Sequence, residues 1–320
     1  MKFKAFGWNG ILFEVQEDMR FSRQGGNAKS GHVMLEAEEH VVEARWDTVI
    51  RKKSRPLSDV TESLIKQMKG KSKKQEVSIL KQEEAYVSTH KAMYMIPKSE
   101  IEERLYVWYC EESERLVILR FVFKVFDETA KTLMRRAIET MECHREKAST
   151  WSVMNLQFET PGTFLLTDTK IAVGRAHFML TDRKQSAFSD KLWRILIEYF
   201  SMANVVFKDS YRDLNKWFEQ NYQKDLRKMV RIRKFKFESP EPGSIRRHKT
   251  NIRQGVDNSG FSWRKTTVIS NASWYCSGMN RIYSVTVLST LSRPAFFKRV
   301  LDEEEHGKLL GNLLASFKCH

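Results

Sequence analysis

The sequence predicts an α+β protein of two tandem homologous domains, each a mostly antiparallel β-sheet flanked by helices. Three observations lead there. The unit Trp-Tyr-Cys, four turn-like residues, then Arg occurs twice, as WYCEESER at 108–115 and WYCSGMNR at 274–281. Apolar residues alternate with period two after each copy, as in a strand. Helical stripes recur in the same order in both halves. A unit repeated at this distance marks a duplication.

Taken in order, GWNGILFEVQEDMRF reads as an apolar strand and a short polar turn, and SGHVMLEAEEHVVEARW as two strands ending at Trp46. The second half answers with WSVMNLQFETPGTFLL and VGRAHFMLTDRKQSAFSDKLW. Phe13-Glu14 matches Phe158-Glu159, and His32, Met34 and Leu35 match His177, Met179 and Leu180, all at offset 145; Trp46 matches Trp193 at 147. A helix follows in each copy. In the first, Ser58 is the expected N-cap of a stripe of Val60, Leu64 and Met68. In the second, Tyr211, Leu214, Phe218 and Tyr222 form the stripe. RILIEYFSMANVVF, between Trp193 and that helix, takes no assignment, and ESPEPGSI at 238–245 reads as a loop.

His90-Lys91 and His248-Lys249 come next, ahead of the Trp-Tyr-Cys hairpins. Val117, Leu119, Phe121, Phe123 and Val125 fall on one face of the strand after the first turn, as Tyr283, Val285 and Val287 do after the second. A four-residue loop sets Cys110 opposite Arg115 and Cys276 opposite Arg281. Each copy closes with an apolar-faced helix, at 132–144 and 308–320, with Asp127 and Asp302 suited to cap them. Both end in Cys-His. The domains are therefore 1–148 and 149–320, the second more basic.

The FEV…ED and FET-P strand starts, the strand pair ending near a Trp, the helix, the hairpin and a closing helix ending in Ser-Phe resemble the PsbP-like fold. That group includes the extrinsic PsbP subunit of photosystem II and a Ran-binding nuclear import factor. The resemblance covers element order in both halves and implies a non-enzymatic docking domain. The Cys-His endings and the Trp-Tyr-Cys hairpins are not part of it.

Composition bounds the function. With 41% apolar and 12% aromatic residues in 320, the chain fills two proper cores. MKFKAFGWNGILFEV lacks the layout of a signal peptide, and no apolar run approaches ~18 residues, so a cytoplasmic protein without membrane insertion is expected. Net charge is +15 but uneven: residues 1–148 hold 27 basic and 24 acidic side chains, residues 149–320 hold 28 and 16.

Two stretches concentrate the basic residues. Residues 51–75 carry nine Lys/Arg against two acids, and residues 224–253 carry eleven against three. They occupy the same slot in each copy and share charge without sharing sequence, which suits contact with a polyanion. The expected phosphate contacts are Arg51, Lys52, Lys53, Arg55, Lys71, Lys73 and Lys74 in the first. In the second they are Lys224, Arg227, Lys228, Arg231, Arg233, Lys234, Lys236, Arg246, Arg247 and Lys249. Phe235 and Phe237, interleaved with Lys, are candidate stacking groups; an ordinary half-buried strand is the competing reading of that stretch.

All four cysteines and six of eight histidines recur in pairs. His90, Cys110, Cys143 and His144, and then His248, Cys276, Cys319 and His320, are the residue types that bind zinc. Their spacing argues the other way: no CxxC or HxxxH occurs, and neighbouring Cys-His residues seldom reach one metal. Buried thiols in a sheet are the alternative. No nucleophile elbow, Gly-rich phosphate loop or HExxH helix is present, and a set duplicated in both halves fits structure better than catalysis. The expected function is a non-enzymatic, ribosome- or RNA-associated binding protein, docking on RNA or a ribonucleoprotein surface. An acidic protein partner, engaged by a docking adaptor, and a zinc- or thiol-dependent enzyme are the alternatives.

Overall fold

The structure, a computed structural model, describes residues 1–49, 56–63, 78–144, 148–207, 213–230, 235–296 and 301–319. It is mainly β, with 57% strand and 19% helix, in three antiparallel sheets of four, seven and seven strands. The expected α+β arrangement, with helices flanking each sheet, is thereby overturned. The chain divides into two compact units, Met1–Gly162 and Thr163–His320.

In the first unit β1 (Phe3–Trp8) and β2 (Ile11–Gln16) form a hairpin closed by Asn9 and Gly10, at φ 50° and 80°. Asn-Gly is the residue pair that such a two-residue turn favours. Reading this stretch as a single strand missed that signal. Next, β3 (Arg20–Gly26), β4 (Ser30–Glu36) and β5 (His40–Thr48) form one meander. A second meander holds β6 (Ile79–Val87), β7 (His90–Pro97), β8 (Glu102–Cys110) and β9 (Arg115–Phe123). Pairing of β5 with β9 joins them into the order β3-β4-β5-β9-β8-β7-β6. Along β9, Val117, Leu119, Phe121 and Phe123 are buried as the alternation requires, whereas Val125 lies beyond the strand and is exposed.

Residues 57–63 are helical, so Ser58 sits inside the first turn rather than capping it. Leu57 and Val60 pack on Met95, Leu105 and Val107; Leu64 and Met68 lie outside the described residues. The closing helix α1 (Glu128–Glu139) begins at Asp127, whose carboxylate accepts from the Ala130 amide at 2.8 Å. It stops before the expected end, because Glu142 leaves the helix to pair with Leu12. The unit is completed by β10 (Ala148–Val153) and β11 (Leu156–Pro161), a hairpin through Met154 and Asn155 that repeats the β1–β2 hairpin. Gly7 faces Ser152, giving the sheet β11-β10-β1-β2 around buried Trp8, Phe13, Trp151 and Phe158.

In the second unit β12 (Leu165–Ala172), β13 (Arg175–Ser186) and β14 (Ser189–Ser201) form the first meander, and the short α2 (Ala203–Val206) follows. The unassigned apolar stretch is the remainder of β14 together with α2. Its register also corrects one sequence match. Trp46 faces Val117 and Tyr199 faces Tyr283, so with the two hairpins superposed Trp46 corresponds to Tyr199; Trp193 lies six residues earlier in a longer hairpin.

The expected second helix is α3 (Leu214–Trp217), a π-helical turn (Phe218–Tyr222) and α4 (Gln223–Val230). The residues 238–245 are not a loop. Edge strand β15 (Glu241–Ile245) pairs with β16 (His248–Ser259), and an edge position tolerates Pro242. Long strands β17 (Trp263–Cys276) and β18 (Arg281–Pro294) complete the order β12-β13-β14-β18-β17-β16-β15. They are buried on both faces. Trp217, Phe218, Tyr222 and Leu226 cover Ile269, Ile282 and Leu288, while α5 (Glu303–Ser316) reaches the alternate residues, with His306 on Ser270 and Ser289. Asp302 caps α5 through the Glu305 amide at 2.9 Å. Among the described residues no helix is long and apolar enough to cross a membrane.

Candidate metal centre and cationic edge

The expected cross-strand neighbours are in register: Cys110 faces Arg115 and Cys276 faces Arg281. The pairing Ala92↔Trp108, carried two residues on, also puts His90 opposite Cys110; Thr250↔Trp274 does the same for His248 and Cys276. The tail after α1 then returns Cys143 and His144 to this strand end.

As a result His90, Cys110, Cys143 and His144 each offer one donor atom, and these atoms all lie within 4.8 Å of one another. Cys110 Sγ is 3.2 Å from His144 Nδ1, Cys143 Sγ is 3.6 Å from His90 Nε2, and Cys143 Sγ is 3.9 Å from His144 Nδ1. Both thiols are buried, and none of the four cysteines of the chain is in a disulfide. At the mouth, the exposed Glu112 carboxylate accepts from Cys110 Sγ at 3.5 Å. The guanidinium of Arg115 is held by the Asn9 carbonyl at 2.7 Å. The hydrogen bond between the two thiols splits their proton affinities. It draws Cys110 down to about 4 against the opposing effect of burial, and it pushes Cys143 up.

The second unit repeats the arrangement with His248, Cys276 and Cys319, whose donor atoms also lie within 4.8 Å of one another. Cys319 Sγ is 3.3 Å from His248 Nε2. Burial, then Cys276, pushes Cys319 up to about 11. The fourth candidate, His320, lies outside the described residues. Gly278 stands where the first unit has Glu112.

No protein family matches the sequence, and no curated protein sequence does. Among solved structures, the apo form of TplEi, a T6SS immunity protein from Pseudomonas aeruginosa, aligns over 99% of this chain and 96% of its own. Identity there is 11% and the TM-score 0.33. The same protein complexed with an "L" peptide aligns over 99% and 97%, at 9% identity and TM-score 0.31. Scores this low carry no argument about the function of this chain.

The basic candidates are distributed rather than gathered. Arg51, Lys52, Lys53, Arg55, Lys71, Lys73, Lys74, Arg231, Arg233 and Lys234 lie outside the described residues. Lys224 and Lys228 are exposed on α4, four residues apart. Arg227 is engaged, donating to the Phe235 carbonyl at 2.9 Å and lying over that ring. Phe235 is buried in the core beneath α4, and Phe237 packs edge-on against Phe218 at 5.2 Å. Core packing, not an open stacking platform, therefore occupies both rings.

The remaining four line one sheet edge. Arg246 and Arg247 form the whole turn between β15 and β16, at φ 46° and 90°, and are exposed together with Lys249. Lys236 is exposed beside Gly255, farther along β16. At about 3.3 Å per residue the two positions are roughly 28 Å apart. Residues 88 and 89 close the equivalent turn in the first unit with Ser and Thr.

An open cavity of about 720 Å³ in the second unit is lined by Asp168, Arg183, Asp190, Arg194 and Met229, among others. Its charges are paired: Arg183 binds Asp190 through two bonds of 2.9 and 2.8 Å, and Asp168 lies 3.0 Å from His177. No thiol lines it.

Proposed function

We propose that this protein is a cytoplasmic, non-enzymatic binding protein that docks on RNA or a ribonucleoprotein surface through the cationic β15–β16 edge of its second unit. One observation carries the reading. The two-residue turn at the tip of that edge is Arg246-Arg247, where both residues sit at positive φ and Asn-Gly is the favoured pair. Holding non-glycine residues there costs of order 1 kcal/mol or more each, and such strain persists mainly at functional positions. Both arginines of the turn are exposed, as are Lys249 two residues on and Lys236 beside Gly255. A row of separated cations suits an extended polyanion better than a small ligand.

The substitution Arg246→Asn/Arg247→Gly separates function from fold. It relieves the turn and removes two cations, so the thermal midpoint is expected to rise while affinity for single-stranded RNA falls. The slope of log K against log salt should flatten by about 1.4 if both arginines neutralise phosphates. Unchanged RNA affinity in this variant contradicts the reading and favours the docking adaptor that the PsbP-like resemblance implies.

A further inference from the structure

We propose that each repeat carries a zinc-binding site, built from His90, Cys110, Cys143 and His144 in the first unit and from His248, Cys276 and Cys319 in the second. Tetrahedral zinc, with Zn–S near 2.3 Å and Zn–N near 2.0–2.1 Å, requires S···N edges of about 3.6 Å. The three S···N separations of 3.2, 3.6 and 3.9 Å in the first unit bracket that value. The ligands come from the start of β7, the end of β8 and the tail after α1, so no short motif announces them.

Hydrogen bonds pair Cys110 with His144 and Cys143 with His90, and a single cation held by all four donor atoms would replace those bonds without moving the ligands far. Two thiolates also neutralise Zn²⁺, leaving a buried ligand set without net charge. Two sulfurs with two imidazoles select zinc over the oxygen-seeking Mg²⁺ and Ca²⁺.

Two further observations agree. The second unit brings His, Cys and Cys together at the corresponding positions of its own sheet, although the intervening loops differ in length. The indoles of Trp108 and Trp274, two residues before each hairpin cysteine, are fully buried, and neither Nε1 has a hydrogen-bond partner. An unpartnered buried N–H on the same strand face as the cysteine suits an outer hydrogen bond to a metal thiolate.

The proposal stands apart from the reading of the cationic edge, and its test does not involve RNA. Untagged protein, purified with reductant and without chelator, is analysed for metal by mass spectrometry. About two zinc ions per chain are expected, and about one in each of Cys110→Ser and Cys276→Ser. Because a ligand variant can misfold, wild-type protein stripped of metal is also titrated with Co²⁺; each site should give thiolate-to-cobalt charge transfer and tetrahedral d–d absorption. Wild type that contains no zinc and develops no cobalt bands overturns the proposal. A full zinc content in one variant overturns it for that unit.

Discussion

His306 shows how a single buried group sets the response to acid. Its Nδ1 meets Ser289 Oγ at 2.6 Å, its Nε2 meets Ser270 Oγ at 2.9 Å, and Trp193 stacks on the ring at 6.1 Å. Burial lowers its pKa to about 4, below the ordinary 6.5. The unfolded chain therefore binds the proton first as pH falls. The contribution of this residue is complete above pH 6.5 and is lost toward pH 4, up to about 3 kcal/mol. Urea midpoints across that range should fall for wild type and change less in His306→Leu; equal pH dependence in the two proteins contradicts the assignment. Glu198 carries a comparable constraint. Fully buried, it is held by Arg175 at 2.9 Å and by the hydroxyl of Tyr222, and Glu198→Leu leaves that arginine only the half-exposed Asp225 at 3.3 Å and the Tyr222 hydroxyl without its acceptor. A loss of about 3 kcal/mol is expected in urea unfolding, more than for removal of an exposed ion pair.

At the scale of elements, the approach of β1 to β10 depends on the missing side chain of Gly7. A Cβ there would meet the Thr150 carbonyl oxygen at 2.5 Å and the Ser152 amide at 3.1 Å, both backbone. Gly7→Val should cost about 1–3 kcal/mol and expose the tryptophans Trp8 and Trp151, which pack edge-on at 5.7 Å. Tryptophan emission that stays unshifted, with an unchanged midpoint, contradicts this. Much of the element pattern was legible. The alternation in β9, the caps Asp127 and Asp302, and the Cys–Arg register all follow from side-chain period and turn length. The fold class was not, and particular residues say why. Asn9-Gly10 was available as a hairpin signal and passed over. The stretch 238–245 looks like a loop because two prolines obscure an edge strand, and the nearly continuous apolar run ILIEYF at 195–200 in β14, buried at successive positions, removes the period that identifies a strand. The cluster around Cys110 was invisible for another reason: its ligands meet only through register and the return of the tail, both long-range.

For the whole molecule, the two functional readings make separate demands. Zinc would tie the β7–β8 strand end to the tail after α1 and stabilise the folded state by mass action, so a strong chelator should lower the thermal midpoint of the reduced protein. A midpoint unmoved by chelator contradicts a structural role for the metal. The excess of Lys and Arg lies in residues 149–320, so the proposed anion contact falls to the second unit. Association there should be fast and steeply dependent on salt. The most direct test of that claim is equilibrium binding of wild type to a single-stranded RNA and to polyglutamate of matched charge, each over a salt series. The account expects tighter binding to RNA, with log K falling linearly as log salt rises. Absence of RNA binding at low salt, or equal affinity for polyglutamate, contradicts it.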